Sequence, residues 1–491
     1  MSELNWLGLA DSARLIRAKE VSAVEILEAT LTWISRTDRM THAFVALDAD
    51  NALEAARAAD QALGTGDDLG ALHGLTFTVK DVIAVEGLPM RCGSEARRDF
   101  VPREDAYAVA RVRQAGGVFL GKVATSEFSW GAACPPALNP WDGTSVPGGS
   151  SGGSGAALAA GQCAASIGAD CGCSVRMPAA LNGVSGLRPS YGRVSTKGAV
   201  PLSMSMDTIG PMARSAEDVA LLLTVMAGHD ASDPTSAQRP SEDFTALLNV
   251  DVAGMRLGVP SDHFFDHLEH DVRIAVEQAI STLETCGMDI REVHLPHAGE
   301  SRTVFNAMVL PEAAALLDNF ADARAAELGV DVGTLIELGN LLLAKDYCRA
   351  SQLRRLIRAD FDAVFEQVDV MITPATAATA RVSSPGCAFS PIEYEDGFSE
   401  DRDGAYCRFS MPVSIAGCPG LVVPCGSARS GLPIGMQIVA PAYADARALQ
   451  VGHAFQRVSD WHRRRPEFLL AAAHSSIKTL SQAPKPKEQQ A

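Results

Sequence analysis

The sequence has no concentration of basic residues. It contains 42 Lys and Arg against 59 Asp and Glu, which gives a formal net charge of −17 at pH 7. Domains that bind nucleic acid through a charged face usually present a basic patch or stripe, and no such run occurs here. We therefore expect no nucleic-acid partner.

Long hydrophobic runs are also missing. Glycines or charges interrupt every apolar stretch well short of the roughly 18–20 residues that cross a bilayer. The opening segment "MSELNWLGLADSARLIRAKE" lacks the apolar core of a signal peptide. The eleven cysteines are odd in number and form no short-period framework, which favours reduced thiols over disulfides. These features predict no membrane contact and a cytoplasmic location.

Motifs for common cofactors are absent as well. Cys171 and Cys173 are the only close cysteine pair, and no second Cys or His pair stands at zinc spacing. Neither the phosphate-loop pattern GxxxxGK[ST] nor a GxGxxG that opens a helix after a strand occurs. The sequence therefore predicts no metal and no organic cofactor.

What the sequence does contain is a regular alternation of helical and β-prone segments. Ser22 and Glu25 form a capping box at the start of an amphipathic helix over 22–35. Further predicted helices cover residues 48–63, 105–115, 155–160 and about 443–456, and predicted strands cover 75–80, 117–122, 164–169, 368–375, 420–426 and 434–440. Such alternation predicts an α/β fold with a large mixed central β-sheet covered by helices on both faces.

The pattern predicts a single domain over residues 1–474, because the early and late β-prone segments belong to one sheet. Residues 1–66 form its N-terminal helices, and about 230–360 form a mainly helical insertion or layer. The polar segment 475–491 contains two prolines and is predicted to be a disordered tail.

The segment "PGGSSGGSG" at 147–155 has two interpretations. Gly/Ser tracts often serve as flexible spacers. This one instead lies within the α/β pattern, and residues 167–195 downstream are again rich in Gly and Ser. Glycines at this density suit loops whose backbone N–H groups approach a ligand closely, so we favour a binding loop.

These same residues carry a family resemblance. "GGSSGGSGAALAAG…IGADCGCSVRMPAALNGVSGLRPSYGRVS" resembles the Ser- and Gly-rich core of the amidase signature family. Three further blocks resemble the family's other conserved segments in the usual order: residues 74–94, 210–223 and 412–441. The resemblance covers most of the chain and implies the amidase-signature fold and a hydrolase that cleaves carbon–nitrogen bonds of amides.

The resemblance implies a Ser–cis-Ser–Lys triad, with Ser174 as the nucleophile, Ser150 as the proton relay and Lys80 as the base. In the family the peptide bond before the relay serine is cis. A serine hydroxyl needs a neighbour that takes its proton, and lysine can do so only when burial or nearby cations keep it neutral. Lys80 ends a β-prone apolar run, as that role requires; the competing interpretation is a surface pair with Asp81.

The resemblance also implies an oxyanion hole, a set of backbone donors that stabilises the tetrahedral intermediate. Its donors would be the N–H groups of Cys171, Gly172, Cys173 and Ser174. Asp170 and Arg176 flank the nucleophile, and we expect them to orient this loop rather than to react.

One residue departs from the family pattern. The family usually has Gly-Gly before the nucleophile, whereas this chain has Gly172 and Cys173. A Cβ at that point restricts the backbone and narrows the pocket beside the oxyanion hole. Cys173 could itself be the nucleophile, but no histidine lies near it in sequence and Ser174 holds the expected register. We expect the cysteines to reshape the acyl pocket without changing the mechanism.

The substrate follows less directly from the sequence. Residues 125–143 lie where the family lines its acyl site, which makes Phe128 and Trp130 candidate pocket residues along with Cys173; both aromatics could equally be core residues. Aromatic and apolar walls predict small, fairly apolar acyl groups. The leading hypothesis is therefore hydrolysis of such amides, extending to carbamates (urethanes), anilides or esters, by a monomer or homodimer.

Two alternative functions belong to classes other than a stand-alone amide hydrolase. One is the glutaminase-type A subunit of a tRNA-dependent amidotransferase, which would need partner subunits. It would also need a charged pair for the α-groups of glutamine, which the sequence does not reveal. The other is a scaffold without activity, against which the intact Lys80, Ser150 and Ser174 argue.

Overall fold

The computed structural model describes residues 3–384 and 390–473. Its first α and β elements are helices. The first three are α1 (Leu9–Arg17), α2 (Ala23–Thr41) and α3 (Ala49–Thr65). The predicted capping box is present, because Ser22 Oγ accepts from the Glu25 N–H at 3.1 Å and the Glu25 carboxylate accepts from the Ser22 N–H at 2.9 Å. The predicted tail over 475–491 lies outside the described residues.

A mixed sheet of eleven strands forms the centre of the described structure, in the order β1-β3-β2-β4-β6-β5-β12-β13-β9-β7-β8. These strands are β1 (Phe44–Leu47), β2 (Thr76–Lys80), β3 (Val118–Val123), β4 (Ala165–Asp170), β5 (Ser185–Arg188), β6 (Thr208–Ala213), β7 (Arg256–Pro260), β8 (Asp289–Val293), β9 (Val370–Pro374), β12 (Gly420–Ser427) and β13 (Pro433–Val439). A separate antiparallel hairpin pairs β10 (Pro391–Glu393) with β11 (Ser399–Asp401).

The parallel pairing of β2 and β4 brings Lys80 and Asp170 to one edge of this sheet. Strand β2 pairs in parallel with both β3 and β4. Parallel neighbours end at the same edge, so Lys80 at the end of β2 lies close to Asp170 at the end of β4. The Gly- and Ser-rich segments continue from this edge.

Helices cover both faces of the sheet. The remaining helices are α4 (Tyr107–Gln114), α5 (Gly152–Ala159), α6 (Arg176–Asn182), α7 (Ala216–Met226), α8 (His270–Thr285), α9 (Ser301–Arg324), α10 (Val330–Leu341), α11 (Ala344–Gln367), α12 (Arg402–Cys407), α13 (Met411–Ala416) and α14 (Asp445–Arg457). Helices α5 and α6 pack together on one face, whereas α7, α8 and α14 pack on the other. Side-chain alternation in β12 shows this division: Leu421 and Val423 meet Gly452 of α14, while Val422 lies near Gly435 on the face that α6 covers. The predicted fold class is confirmed.

The region from 230 to 360 departs from the prediction in one respect. It contains α8 to α10 and most of α11. It also contributes β7 and β8, which extend the edge of the sheet in parallel beyond β9. Strand β8 is largely exposed and reads "DIREV", so it lacks the apolar run by which buried parallel strands are recognised.

No helix within the described ranges combines the length and the hydrophobicity needed to cross a membrane.

Candidate active site

Lys80 occupies the buried end of β2. Its side chain is 0% exposed, and its Nζ lies 2.6 Å from Ser150 Oγ and 3.3 Å from the carbonyl oxygen of Ala169. Burial lowers the pKa of Lys80 to about 8, because the charged form loses its hydration. A far larger fraction of this amine is therefore neutral near pH 8 than for a lysine in water.

Asp81 does not form the surface pair with Lys80 that was the competing interpretation. It is buried and pairs with Lys122 of β3, whose Nζ lies 3.2 Å from its Oδ1. Asp81 also accepts from the backbone N–H of Arg91 at 3.1 Å. This pair fixes the end of β2 and leaves Lys80 to face Ser150.

Ser150 lies in the turn before α5 and is fully buried. The Gly149–Ser150 peptide bond is cis. Gly149 has no room for a side chain, because a Cβ there would collide with the carbonyl oxygen of Gly131. The Gly/Ser tract is therefore a packed turn that presents Ser150 Oγ to Lys80, and not a spacer.

Ser174 follows β4 and precedes α6. It is 8% exposed and lines a cavity, and its carbonyl oxygen accepts from the Ser151 N–H at 3.1 Å. Among the described residues no hydrogen bond joins the hydroxyls of Ser174 and Ser150 directly. The structure thus places all three triad candidates at one site, with a direct contact between Lys80 and Ser150.

The loop before Ser174 presents backbone donors in a defined direction. Arg188 donates to the Cys171 carbonyl at 3.1 Å, Arg176 donates to the Gly172 carbonyl at 2.8 Å, and the Cys173 carbonyl accepts from the Met177 N–H at 2.7 Å. In a trans peptide the next N–H points opposite to the carbonyl. The three N–H groups of Gly172, Cys173 and Ser174 therefore point away from this buried cluster, and none of them donates to another described group.

Asp170 and Arg176 form the core of that cluster. Arg176 donates through Nε and Nη2 to the two oxygens of Asp170 at 3.1 and 2.9 Å. Burial would raise the pKa of Asp170, but Arg176 and Arg188 outweigh it and hold the pKa below its usual range. These bonds fix the loop that precedes Ser174. Sequence reasoning missed Arg188, which lies 14 residues after Ser174 in β5.

The cavity that Ser174 lines has a volume of about 220 Å³. Its walls are mainly apolar and include Trp130, Cys173, Leu202, Phe305, Leu310, Cys407 and Met411. Two charged residues, Arg302 and Asp403, also border it. Neither was found from the sequence, because α9 and α12 carry no motif that marks them as part of the site.

Phe128 does not reach this cavity. It is buried in the core, 1% exposed, with a φ of +45°. That left-handed turn places the next residues, Ser129 and Trp130, at the cavity wall instead. The candidate pocket residues are thus corrected to Trp130 and Cys173.

Cys173 has an unexpected partner. Its Sγ lies 3.0 Å from Sγ of Cys407, and both thiols are free and buried. Hydrogen bonding with Cys173, together with burial, raises the pKa of Cys407 well above its usual value. No histidine is among the residues that line this cavity in the described structure. The pair therefore fills space beside the oxyanion loop, and no histidine among these lining residues could activate either thiol.

A second cavity, also of about 220 Å³, is bordered by Ser150 and shares Cys171 with the first. Half-buried Asp207 lines it and accepts from the backbone N–H groups of Leu202 and Ser203 at 2.7 and 3.0 Å. Within the described ranges no group of three or more His, Cys, Asp or Glu side chains could hold a metal ion.

A buried lysine–serine pair, a second serine at a cavity and a row of backbone N–H groups thus lie together at one edge of the α/β sheet. Comparison with known proteins gives the family. The Amidase family model matches residues 25–449, and the chain belongs to this family.

Three individual similarities are informative. The chain is 39% identical over 501 residues to a Chloroflexus aggregans protein named as the A subunit of glutamyl-tRNA(Gln) amidotransferase, covering 96% of this chain and 100% of that one. The solved structure of the Thermotoga maritima protein of the same name is 28% identical, with a TM-score of 0.77 and coverage of 93% and 95%. Another, from a vestigial protein complex related to an s-triazine catabolic enzyme, is 32% identical, with a TM-score of 0.87 and coverage of 92% and 99%.

These relatives contradict one prediction from the sequence. We expected a monomer or homodimer without nucleic acid, whereas the similar curated proteins are named as subunits of an amidotransferase for glutamyl-tRNA(Gln). The net charge of −17 describes a single chain, so it gives no information about partner subunits.

Proposed function

We propose that this chain is a glutaminase-type A subunit of a tRNA-dependent amidotransferase, which releases ammonia from the side-chain amide of glutamine. The similarity to curated A subunits over essentially the full length of both chains supports this proposal most strongly. It reverses the preference drawn from the sequence, in which this function was the alternative to hydrolysis of apolar amides.

The proposed mechanism begins at Lys80. Its neutral amine accepts the proton of Ser150 Oγ, 2.6 Å away, while Ser150 accepts the proton of Ser174. This transfer requires the Ser174 hydroxyl to come within hydrogen-bonding distance of Ser150. Ser174 Oγ then attacks the amide carbon.

The negative oxygen of the resulting intermediate accepts hydrogen bonds from the loop N–H groups of residues 172–174. Preorganised donors of this kind are each worth roughly 2.7–4 kcal/mol in the transition state. The Lys80 ammonium returns its proton through Ser150 to the leaving nitrogen, the carbon–nitrogen bond breaks, and ammonia departs. Water then cleaves the Ser174 ester by the same relay and releases the carboxylate product.

The two cavities fit the two halves of this reaction. The cavity at Ser174 and Cys173 would hold the acyl group, and the one at Ser150 would receive the leaving group, because Ser150 delivers the proton to it. Asp170 and Arg176 act only by holding the loop carbonyls away from the reacting oxygen.

The test compares glutamine with a panel of aryl amides, using the full-length chain and any subunits that copurify with it. We expect ammonia release from glutamine with a kcat/KM above that for every aryl amide, and no release by Ser174→Ala. Hydrolysis of aryl amides without measurable turnover of glutamine would contradict the proposal.

A second candidate is hydrolysis of small apolar amides, with the same chemistry extending to carbamates and esters, in which only the leaving group differs. The observation that favours it is the apolar wall formed by Trp130, Phe305, Leu310 and Met411. The same panel distinguishes the two, since this candidate requires aryl or alkyl acyl groups to be the better substrates.

The pKa of Lys80 predicts the pH dependence. Because the neutral amine is the base, kcat/KM should rise as pH increases through about 8 and then level off. At pH 7 roughly one molecule in ten has Lys80 neutral, which still allows slow turnover. A pH–rate profile from pH 5 to 10 tests this. A maximum below pH 5 would indicate carboxylate chemistry instead.

Cys173→Gly should leave the enzyme active and broaden the range of acyl groups it accepts. The change removes a side chain beside the oxyanion loop and its contact with Cys407, but keeps the backbone donor. Glycine adds backbone freedom, so a stability loss of about 0.5–1 kcal/mol is expected. Kinetics on acyl groups of increasing width provide the measurement. An inactive but folded variant would assign Cys173 an essential role.

A further inference from the structure

The two thiols that meet at the acyl cavity take no part in the mechanism above. Ten cysteines lie within the described residues, and all of them are free. Among these ten, Cys173 and Cys407 are the two whose sulfurs contact each other, with 3.0 Å between the Sγ atoms. Cys173 belongs to the oxyanion loop (residues 171–174), and Cys407 ends α12. The fold therefore brings two oxidisable groups from distant parts of the chain into direct contact beside the nucleophile.

The contact is close to the geometry of a covalent link. A disulfide holds its two sulfurs at about 2.03–2.05 Å. Bond formation between Cys173 and Cys407 therefore requires the sulfurs to approach by about 1 Å. The two side chains and the backbone that carries them must supply that movement.

The cavity gives a small oxidant a route to the pair. Both residues line it, and each keeps a small exposed fraction, 6% for Cys173 and 7% for Cys407. The cavity volume of about 220 Å³ is many times the roughly 10–15 Å³ that one water molecule needs. An oxidant as small as hydrogen peroxide therefore fits the space that these residues line.

Oxidation by a hydroperoxide proceeds in two balanced steps. One thiolate attacks the peroxide and breaks its O–O bond, which gives a sulfenic acid and, with the thiol proton, one water. The second thiol then displaces the sulfenic hydroxyl: the S–O bond breaks, the S–S bond forms, and a second water leaves. The hydrogen bond with Cys173 and burial raise the pKa of Cys407 well above its usual value. Its thiolate is therefore scarce, and we expect the reaction to be slow.

The oxyanion loop is fixed by its neighbours. A Cβ on Gly172 would come within 2.8 Å of the ring of Phe305, so α9 packs directly against the loop. The Gly172 carbonyl also accepts from Arg176 at 2.8 Å. Backbone donors stabilise an oxyanion when they stand roughly 2.7–3.1 Å from it, and a misplacement of about 1 Å can cost on the order of a hundredfold in rate. A covalent pull on Cys173 would therefore move these donors away from their working positions.

The end of α12 is anchored as well. Arg408, which follows Cys407, pairs with Glu400 at 2.9 Å. It also donates to the carbonyl oxygens of Asp266 and His267 at 2.8 and 2.6 Å. Because the helix end is held in this way, bond formation draws on the loop as well as on the helix.

We propose that Cys173 and Cys407 are a site of reversible oxidation, and that the disulfide between them suppresses acyl transfer at Ser174. This inference goes beyond the proposed function and does not depend on the acyl group. An amidotransferase subunit and a hydrolase of apolar amides would use the same nucleophile and the same loop. A dithiol reverses the modification by exchange, since it takes over the disulfide and returns both cysteines to thiols.

Peptide mapping and active-site labelling after peroxide treatment test both parts of the inference. The full-length chain is incubated with hydrogen peroxide for hours, and the remaining thiols are blocked before unfolding. The digest is then searched for the Cys173 peptide joined to the Cys407 peptide with the loss of two hydrogens. The rate of fluorophosphonate labelling at Ser174 reports on the nucleophile and its donors. We expect the linked peptide, a fall in labelling rate of about tenfold or more, and recovery of that rate after dithiothreitol.

Two variants of one cysteine and a matched control separate this bond from general oxidation. Cys407→Ser and Cys407→Ala both remove the second sulfur, and each is compared with its own untreated sample. Both should lack the linked peptide and should label at nearly the same rate before and after peroxide. The control is Cys348→Ser, because Cys348 is an exposed thiol on α11 that does not line the cavity. This variant should respond to peroxide as the wild type does.

Several outcomes would overturn the inference. A linked peptide with unchanged labelling would show that the bond forms without affecting the nucleophile. Inactivation that persists in both Cys407 variants, or that dithiothreitol does not reverse, would assign the damage to another group or to irreversible sulfinic acid. A treated wild type without the linked peptide would contradict the modification itself. The linked peptide is detected whether or not the chain turns over glutamine, so failure of the glutaminase proposal leaves this test intact.

Discussion

Replacement of Ser174 by alanine is expected to abolish amide hydrolysis without loss of the fold. The change removes the atom that forms the acyl-enzyme, and it leaves the backbone donors of the loop in place. Loss of a nucleophile typically costs about four orders of magnitude or more in kcat. Steady-state turnover on glutamine and on the best amide of the panel measures the effect, together with the melting temperature of the variant.

Ser154→Ala is the matched control for that experiment. Ser154 belongs to the same Gly- and Ser-rich tract, and its hydroxyl accepts from Ser166 Oγ at 2.9 Å, away from both cavities. It should retain near wild-type turnover. A folded Ser174→Ala enzyme whose activity stays within about tenfold of wild type would remove Ser174 from the role of nucleophile.

Loss of either member of the Lys80–Ser150 pair should reduce kcat by at least about a hundredfold. Lys80→Ala removes the base and Ser150→Ala breaks the relay. Since the two act as one unit, the double variant should be hardly worse than either single variant. Lys80→Met is a useful companion, because it fills the same buried space without a nitrogen and should show the same loss with little change in stability.

The double variant supplies the decisive comparison. Multiplicative losses from Lys80→Ala and Ser150→Ala would indicate that they act independently, which is inconsistent with a 2.6 Å relay contact. Retention of activity in Lys80→Met would show that another group accepts the proton.

Local sequence signals predicted a large part of the fold because they act over a few residues. The Ser22–Glu25 capping box and the apolar run ending at Lys80 are complete within their own segments. The triad candidates could be placed because motif blocks carry them. Strand β8 was missed because its charged, exposed sequence lacks the apolar pattern that identifies strands.

The acyl cavity could not be predicted because it is assembled from distant segments. Cys407 meets Cys173 across 234 positions of the chain, and Arg302 and Asp403 join the nucleophile only through the packing of α9 and α12. Phe128 shows the opposite error, a residue that the sequence places at the pocket but the fold does not. It lies in the segment expected at the pocket, but a left-handed φ of +45° turns the chain and gives the wall to Trp130.

The central claim is that Ser174, and neither thiol beside it, carries the acyl group. Its most direct test is covalent labelling of the full-length chain with a fluorophosphonate, followed by peptide mass spectrometry of residues 165–182. We expect one adduct on Ser174, no adduct in Ser174→Ala, and unchanged labelling of Ser174 in Cys173→Gly. An adduct on Cys173, or labelling of that peptide that survives Ser174→Ala, would contradict it.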